Sequence, residues 1–171
     1  SASIMDLIHI CEHKLALRNA EITKRFVVGE TDLWVQPWGL GIEVRTSWDS
    51  KSETDLLNIL SDTNFRLGAR HLAVVVPDDF SDELFDLIRG IEKREVIKNL
   101  SIIRIGDLGK YLDEIKRKEA ALERERRRYA RELNKYVANR AAQDVRGFVA
   151  KRGDAAASWL RSKQATAPLP P

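Results

Sequence analysis

The sequence predicts an α/β protein: a mixed β-sheet flanked by helices, followed by a long, charged helical extension. Three observations predict it. Helix-spaced apolar residues alternate with short β-branched runs in the order α-β-β-β-α-β-α-β. One of those runs, "HLAVVVP", is continuous and apolar, as in a central strand covered on both faces. Beyond Gly109, Ile115, Leu122, Tyr129 and Tyr136 recur every seven residues amid dense charge.

Each element has its own grounds. Ile4, Leu7, Ile8, Cys11 and Leu15 lie at helical spacing and predict an amphipathic helix over residues 3–20. "RFVVGE" and "TDLWVQPW" read as short strands; Pro37 stops the second, and Gly39 and Gly41 mark the turn into a third, "GIEVRTSW". The next helix starts at Asp49 or Ser50, buries Leu56, Leu57 and Leu60, and closes at Gly68. After the apolar strand, "SDELFDLIRGIEKREVIKNL" is a helix with Ser81 as N-cap and acids in its first turn, and "SIIRIGDL" is a further strand. The long helix that follows has Gly147 as a candidate break, and its companion heptad positions are mostly charged, which argues against a full coiled coil. These readings divide the chain into a domain at 1–108, a charged helical extension at 109–163 and a tail at 164–171, whose "ATAPLPP" has no means of making a core.

Composition narrows the function classes. A chain of 171 residues, 43% hydrophobic and 32% charged, suits one soluble domain with an appendage. Net charge is only +3, so the molecule as a whole is not a polycation; from Lys116 to Arg152, however, thirteen Lys/Arg stand against five Asp/Glu. A lone Cys11, on an apolar helical stripe, excludes an intramolecular disulfide and a thiolate metal cluster. No apolar run reaches the ~20 residues a bilayer crossing needs, and no signal pattern opens the chain, so the expected location is cytoplasmic with no membrane partner.

The chemistry concentrates in "TDLWVQPWGLGIEVRTSW". Side chains alternate along a strand, which puts Glu43 and Arg45 on one face and Ile42 and Val44 on the other. If the second and third strands pair around the Pro37–Gly41 turn, Asp32 and Glu43 converge at one end of the sheet. Two carboxylates with a carbonyl nearby, that of Val44, make a hard-oxygen site suited to Mg2+ or Mn2+. Such an ion binds a scissile phosphate and lowers the pKa of a bound water. Arg45 would stabilise charge on the attacked phosphate. The plainer alternative is a charge pair between Glu43 and Arg45 on a solvated sheet face.

This run resembles the PD-(D/E)xK nuclease superfamily, of restriction-endonuclease-like fold, whose pattern is an acid, a gap of roughly ten residues, then acid-x-lysine on the next strand. Asp32 stands at the first acid, preceded by Thr31 where the family name has proline; Glu43 stands at the second and Arg45 at the lysine. The resemblance covers roughly residues 4–106, and archaeal Holliday junction resolvases and related repair nucleases are the branch it looks most like. It implies a metal-dependent nuclease, an endonuclease or exonuclease of repair, recombination or restriction type, with Asp32, Glu43 and Arg45 catalytic. Arginine at the lysine position cannot act as a general base, which leaves a second reading open: a non-catalytic nucleic-acid-binding or assembly protein on a nuclease fold. Many members add a glutamate from the first helix to the metal; Glu12 is the best match, Glu21 the next, and Glu30 could contribute instead.

Several residues could support such a site. Trp34, Trp38 and Trp48 can stack on unpaired bases or serve as core and turn residues. Lys51, Arg66 and Arg70 lie on or after the helix that in this family approaches the DNA backbone. Arg126, Arg127, Arg128, Arg131 and Lys135 concentrate charge that phosphates attract. The Ile115–Leu122–Tyr129–Tyr136 stripe suits a protein partner or a second copy of the chain. His9 and His13 have i, i+4 spacing, which can bind zinc, but no third ligand is apparent.

Overall fold

The computed structural model describes residues 3–25 and 31–166. The chain divides into two compact units, Ser1–Ala120 and Ala121–Pro171. In the first, helix α1 (Ile4–Ala16) leads to β1 (Lys24–Arg25), β2 (Leu33–Val35) and β3 (Leu40–Val44). Then come α2 (Ser52–Leu67), β4 (His71–Val76), α3 (Asp82–Lys93) and β5 (Leu100–Arg104), before α4 (Leu108–Thr166) begins. The first strand expected from the sequence, residues 25–30, meets β1 only at Arg25; the rest of it lies outside the described residues.

The five strands form one mixed sheet in sequence order. β1, β2 and β3 run as an antiparallel meander, whereas β3, β4 and β5 are parallel. Parallel neighbours need a crossover, and α2 and α3 supply the two crossovers. Both pack on the same face, where Leu56, Leu60, Ile88 and Ile91 meet Leu72, Val74, Val76, Leu100 and Ile102. The other face carries Leu33, Val35, Leu40, Ile42, Val44, Ala73 and Val75, covered by Leu7, Ile8, Cys11 and Leu15 of α1 and by Leu108 and Leu112 of α4. β4 is therefore buried on both sides, as its unbroken apolar run requires.

Local chemistry sets the helix ends. Ser3 and Asp6 exchange hydrogen bonds in a capping box at α1. Asp49 accepts from the Lys51 amide and the Ser52 hydroxyl ahead of α2, which ends at Gly68 with φ +63°. Ser81 Oγ accepts from the Leu84 amide at the start of α3. That helix ends at Lys93, well short of the expected 100, because Glu95 takes a left-handed φ of 53°, and β5 accordingly begins at Leu100.

The start of α4 belongs to the first unit, which runs to Ala120 and not to the expected 108. Leu108, Leu112 and Ile115, at i, i+4 and i+7, are all buried. Each such side chain contributes about 1.5–3 kcal/mol by leaving water. α4 itself continues without a break through Gly147, and from Glu123 to Ala156 every residue is exposed.

Candidate functional site

The β2–β3 register pairs Leu33 with Ile42 and Trp34 with Gly41, so one residue further along Asp32 falls beside Glu43. The turn that fixes this register contains Pro37 and ends at Gly39, whose φ of +56° only glycine adopts readily. Both acids are inside the protein, Asp32 5% and Glu43 3% exposed. Asp32 Oδ2 accepts a 2.7 Å hydrogen bond from the Val44 amide. Glu43 Oε1 lies 3.3 Å from Arg45 Nη1. Arg45 is itself anchored by its backbone, since its amide donates to the Val75 carbonyl across the β3–β4 pair at 3.0 Å.

One guanidinium and one amide do not satisfy two buried carboxylates. Burial raises the Asp32 pKa, and the Val44 amide and Arg45 only partly oppose it. Burial, with the Asp32 charge next, pushes Glu43 up to about 8. With one proton on Glu43 the two carboxyls hydrogen-bond to each other; with both ionised, Glu43 Oε2 has no donor. Among the described residues, the buried side-chain atoms lacking a partner are Glu43 Oε2, Arg45 Nε and Thr31 Oγ1. Thr31 immediately precedes Asp32, so all three belong to this one segment pair. An orphaned buried oxygen costs about 1–3 kcal/mol, and more when charged. The cluster thus leaves a carboxylate oxygen short of a donor or positive charge, and a guanidinium N–H short of an acceptor.

A divalent cation fits that description in its donor chemistry. Mg2+ needs only one or two carboxylates, completing its shell with water and phosphate oxygens. Asp32 and Glu43 would hold it.

Other expected residues are placed elsewhere. Glu12, expected as a metal ligand, faces Arg25 at 3.5 Å, and among the described residues no set of three His, Cys, Asp or Glu is arranged to hold an ion. Neither Glu12 nor Glu21 is therefore brought to the pair, and His9 and His13 form no such site; Glu30 lies outside the described residues. The reason is topological: the buried residues of α1 pack on the sheet face that carries Ile42 and Val44, opposite to Glu43. Cys11 is a buried thiol pushed up to about 12 by burial and then by the nearby Asp32 charge, so it stays neutral.

The aromatic residues are packing elements. Trp34 is buried, its Nε1 donating to Gln36 Oε1 at 2.8 Å. Trp38 packs against the α1-side core and Trp48 against the α2–α3 core. Arg70 is not a free phosphate contact. Its guanidinium donates to Glu119 Oε1 (2.5 Å) and to the Pro37 carbonyl (3.1 Å), while His71 Nε2 meets Glu119 Oε2 at 2.8 Å. Arg66 pairs with Asp62 within α2, and Lys51 is exposed just before that helix. On α4, Arg126 and Arg127 both approach Glu123, and Arg128, Arg131 and Lys135 are exposed. Sequence reasoning missed Thr31, signalled only by its place before Asp32, and Glu119, which no local pattern announces.

No helix among the described residues is long and apolar enough to cross a membrane. No protein-family model matches the chain, and neither does a curated protein or a solved structure.

Proposed function

We propose that this protein is a metal-dependent nuclease of restriction-endonuclease-like fold, acting on nucleic acid and on DNA before RNA. The observation that carries the reading is the contact between Asp32 and Glu43, two buried acids whose remaining oxygen is unpartnered. The meander, the crossover α2 and the parallel β4 agree with the αβββαβ core that the resemblance implies. A bound Mg2+ or Mn2+ would supply Lewis-acid chemistry, activating water and neutralising charge on a phosphate. The chain's own residues do the rest. Asp32 and Glu43 would hold the ion, its charge taking the place of the proton that burial keeps on Glu43. The Val44 amide fixes the Asp32 carboxylate in the sheet plane. Arg45, 3.3 Å from Glu43, would lend its guanidinium charge to an attacked phosphate and cannot serve as base. Lys51 and the arginines of α4 would add salt-dependent grip on the backbone. Such an enzyme belongs in the cytoplasm, at the nucleoid, in repair, recombination or restriction.

The test is Mn2+-dependent cleavage of plasmid and branched DNA. The native chain should cut, and Asp32→Ala and Glu43→Ala should each reduce cutting at least ~100-fold, since each removes a ligand of one ion.

A second reading rests on Arg45. Its contact with Glu43 gives the pair an internal counter-charge, which a binding protein that has lost cleavage would retain. DNA binding with a steep salt slope, no cleavage and no metal affinity by calorimetry would establish that reading instead.

A further inference from the structure

The second unit carries a surface that the nuclease reading leaves unused. At about 100° per residue, the stretch of α4 from Val137 to Leu160 gathers its bulky apolar side chains into an arc of roughly 140°. Val137, Val145, Phe148, Val149, Trp159 and Leu160 form it, and all are more than half exposed. Val137, Phe148 and Trp159 are spaced by eleven residues, as are Ala138, Val149 and Leu160. At 100° per residue an eleven-residue period drifts only about 20° per repeat, so over these two repeats the stripe stays on one side of the helix.

Charge identifies what this face can meet. From Lys135 to Lys163 there are seven Lys/Arg and two Asp/Glu. On the helical wheel, Lys135 and Arg146 border one side of the arc, and Arg140 and Lys151 the other, where Asp144 lies between them and the arc and pairs with Arg140 at 3.6 Å. Arg152 and Lys163 fall inside it and lie over aromatic faces, Arg152 over Phe148 at 5.1 Å and Lys163 over Trp159 at 5.7 Å. A second copy of the chain would set basic flank against basic flank. A helical partner would also have to receive two cations in its seam, and a seam is narrower than this arc. A lipid interface accepts all of these features. The apolar arc enters the acyl boundary, Phe148 and Trp159 sit at headgroup depth, and the long stems of Arg152 and Lys163 carry their charges back to the phosphates.

We infer that residues 137–160 of α4 bind the surface of an anionic lipid bilayer, lying along it and not across it. The inference is independent of the nuclease reading, because it uses no residue of the Asp32–Glu43 cluster.

Co-sedimentation of the full chain with vesicles tests it. Vesicles of phosphatidylcholine with phosphatidylglycerol in equal parts should bring the protein down, and phosphatidylcholine alone should not. Binding should weaken as salt is raised. Val145→Asp with Phe148→Asp should lower the apparent affinity by about tenfold or more, since two buried side chains are lost. The exposed positions leave the fold intact, which circular dichroism checks. Absence of vesicle binding, or equal binding by the double variant, overturns the inference. It is equally overturned if the double variant dissolves a dimer seen by sedimentation equilibrium, or abolishes DNA binding, while vesicles are ignored by both proteins.

Discussion

The carboxylate of Asp32 takes its hydrogen bond from the amide of Val44, the residue that follows Glu43, at 2.7 Å. One backbone donor thus locks the first acid to the strand that carries the second.

The pair should make stability fall with rising pH. In the unfolded chain Glu43 loses its proton near 4.5, whereas in the folded protein burial and Asp32 hold it up to about 8. Between those values the folded state binds more protons than the unfolded one, so stability declines as pH rises through the window and levels off above it. Urea titrations at intervals from pH 4.5 to 9 should show this decline. Glu43→Gln should flatten it and gain at least ~1 kcal/mol over the native chain above the window. Arg45 lowers the Glu43 pKa, so Arg45→Ala should carry the decline to higher pH.

A cation bound at the pair, as the proposed function requires, would compete with that proton. Thermal stabilisation by Mn2+ should therefore grow with pH, being small near pH 5 and largest near pH 8. Asp32→Asn and Glu43→Gln should each abolish it. Equal shifts in both variants and the native chain would place the ion elsewhere.

At the opposite end of the sheet, Glu119 of α4 holds Arg70 and His71, and Arg70 lies against Gly39 in the β2–β3 turn. Glu119→Ala leaves two half-buried basic groups without their partner and should cost about 2–3 kcal/mol. Glu119→Gln keeps hydrogen bonds and should cost less. Gly39→Ala forces a side chain into a left-handed conformation and sets its Cβ 2.8 Å from Arg70 Cζ, for a loss of about 1–3 kcal/mol. Chemical denaturation of the three variants checks the order.

The first unit should survive removal of the second. A chain ending at Ala120 keeps Leu108, Leu112 and Ile115 in place and should melt cooperatively. One ending at Asp107 uncovers the α1-side core and should lose its cooperative transition, as followed by circular dichroism.

Much of the fold was legible because local chemistry decided it. The alternation in "GIEVRTSW", the glycines of the turn and the unbroken "HLAVVVP" fix a hairpin and a central strand from near neighbours alone. The meeting of Asp32 with Glu43 follows from that hairpin. What escaped is non-local. Glu119 reaches Arg70 across 49 positions, and nothing within a turn of either residue signals it. Leu108, Leu112 and Ile115 read as part of a charged helix because their apolar stripe is only two turns long. The helix continues through Gly147 because an exposed helical glycine costs only about 1 kcal/mol, and the residues on either side outweigh it. Glu12 missed the acids because helical periodicity gives a stripe and not the sheet face it covers.

The two ends of the sheet therefore differ in how much alteration they can absorb. Around Gly39, Arg70 and Glu119 every connection is bolted to another, so lengthening a loop there would tear the frame. Beside Glu43, segment 77–81 is clamped as well, Arg104 donating to the Asp78 and Phe80 carbonyls and the Gly106 amide to Asp78 Oδ1, whereas in segment 46–51 Asp49 bonds only to its near neighbours Lys51 and Ser52. Insertions that reshape what the protein grips belong in segment 46–51, where new sequence can be tried without unfastening the scaffold.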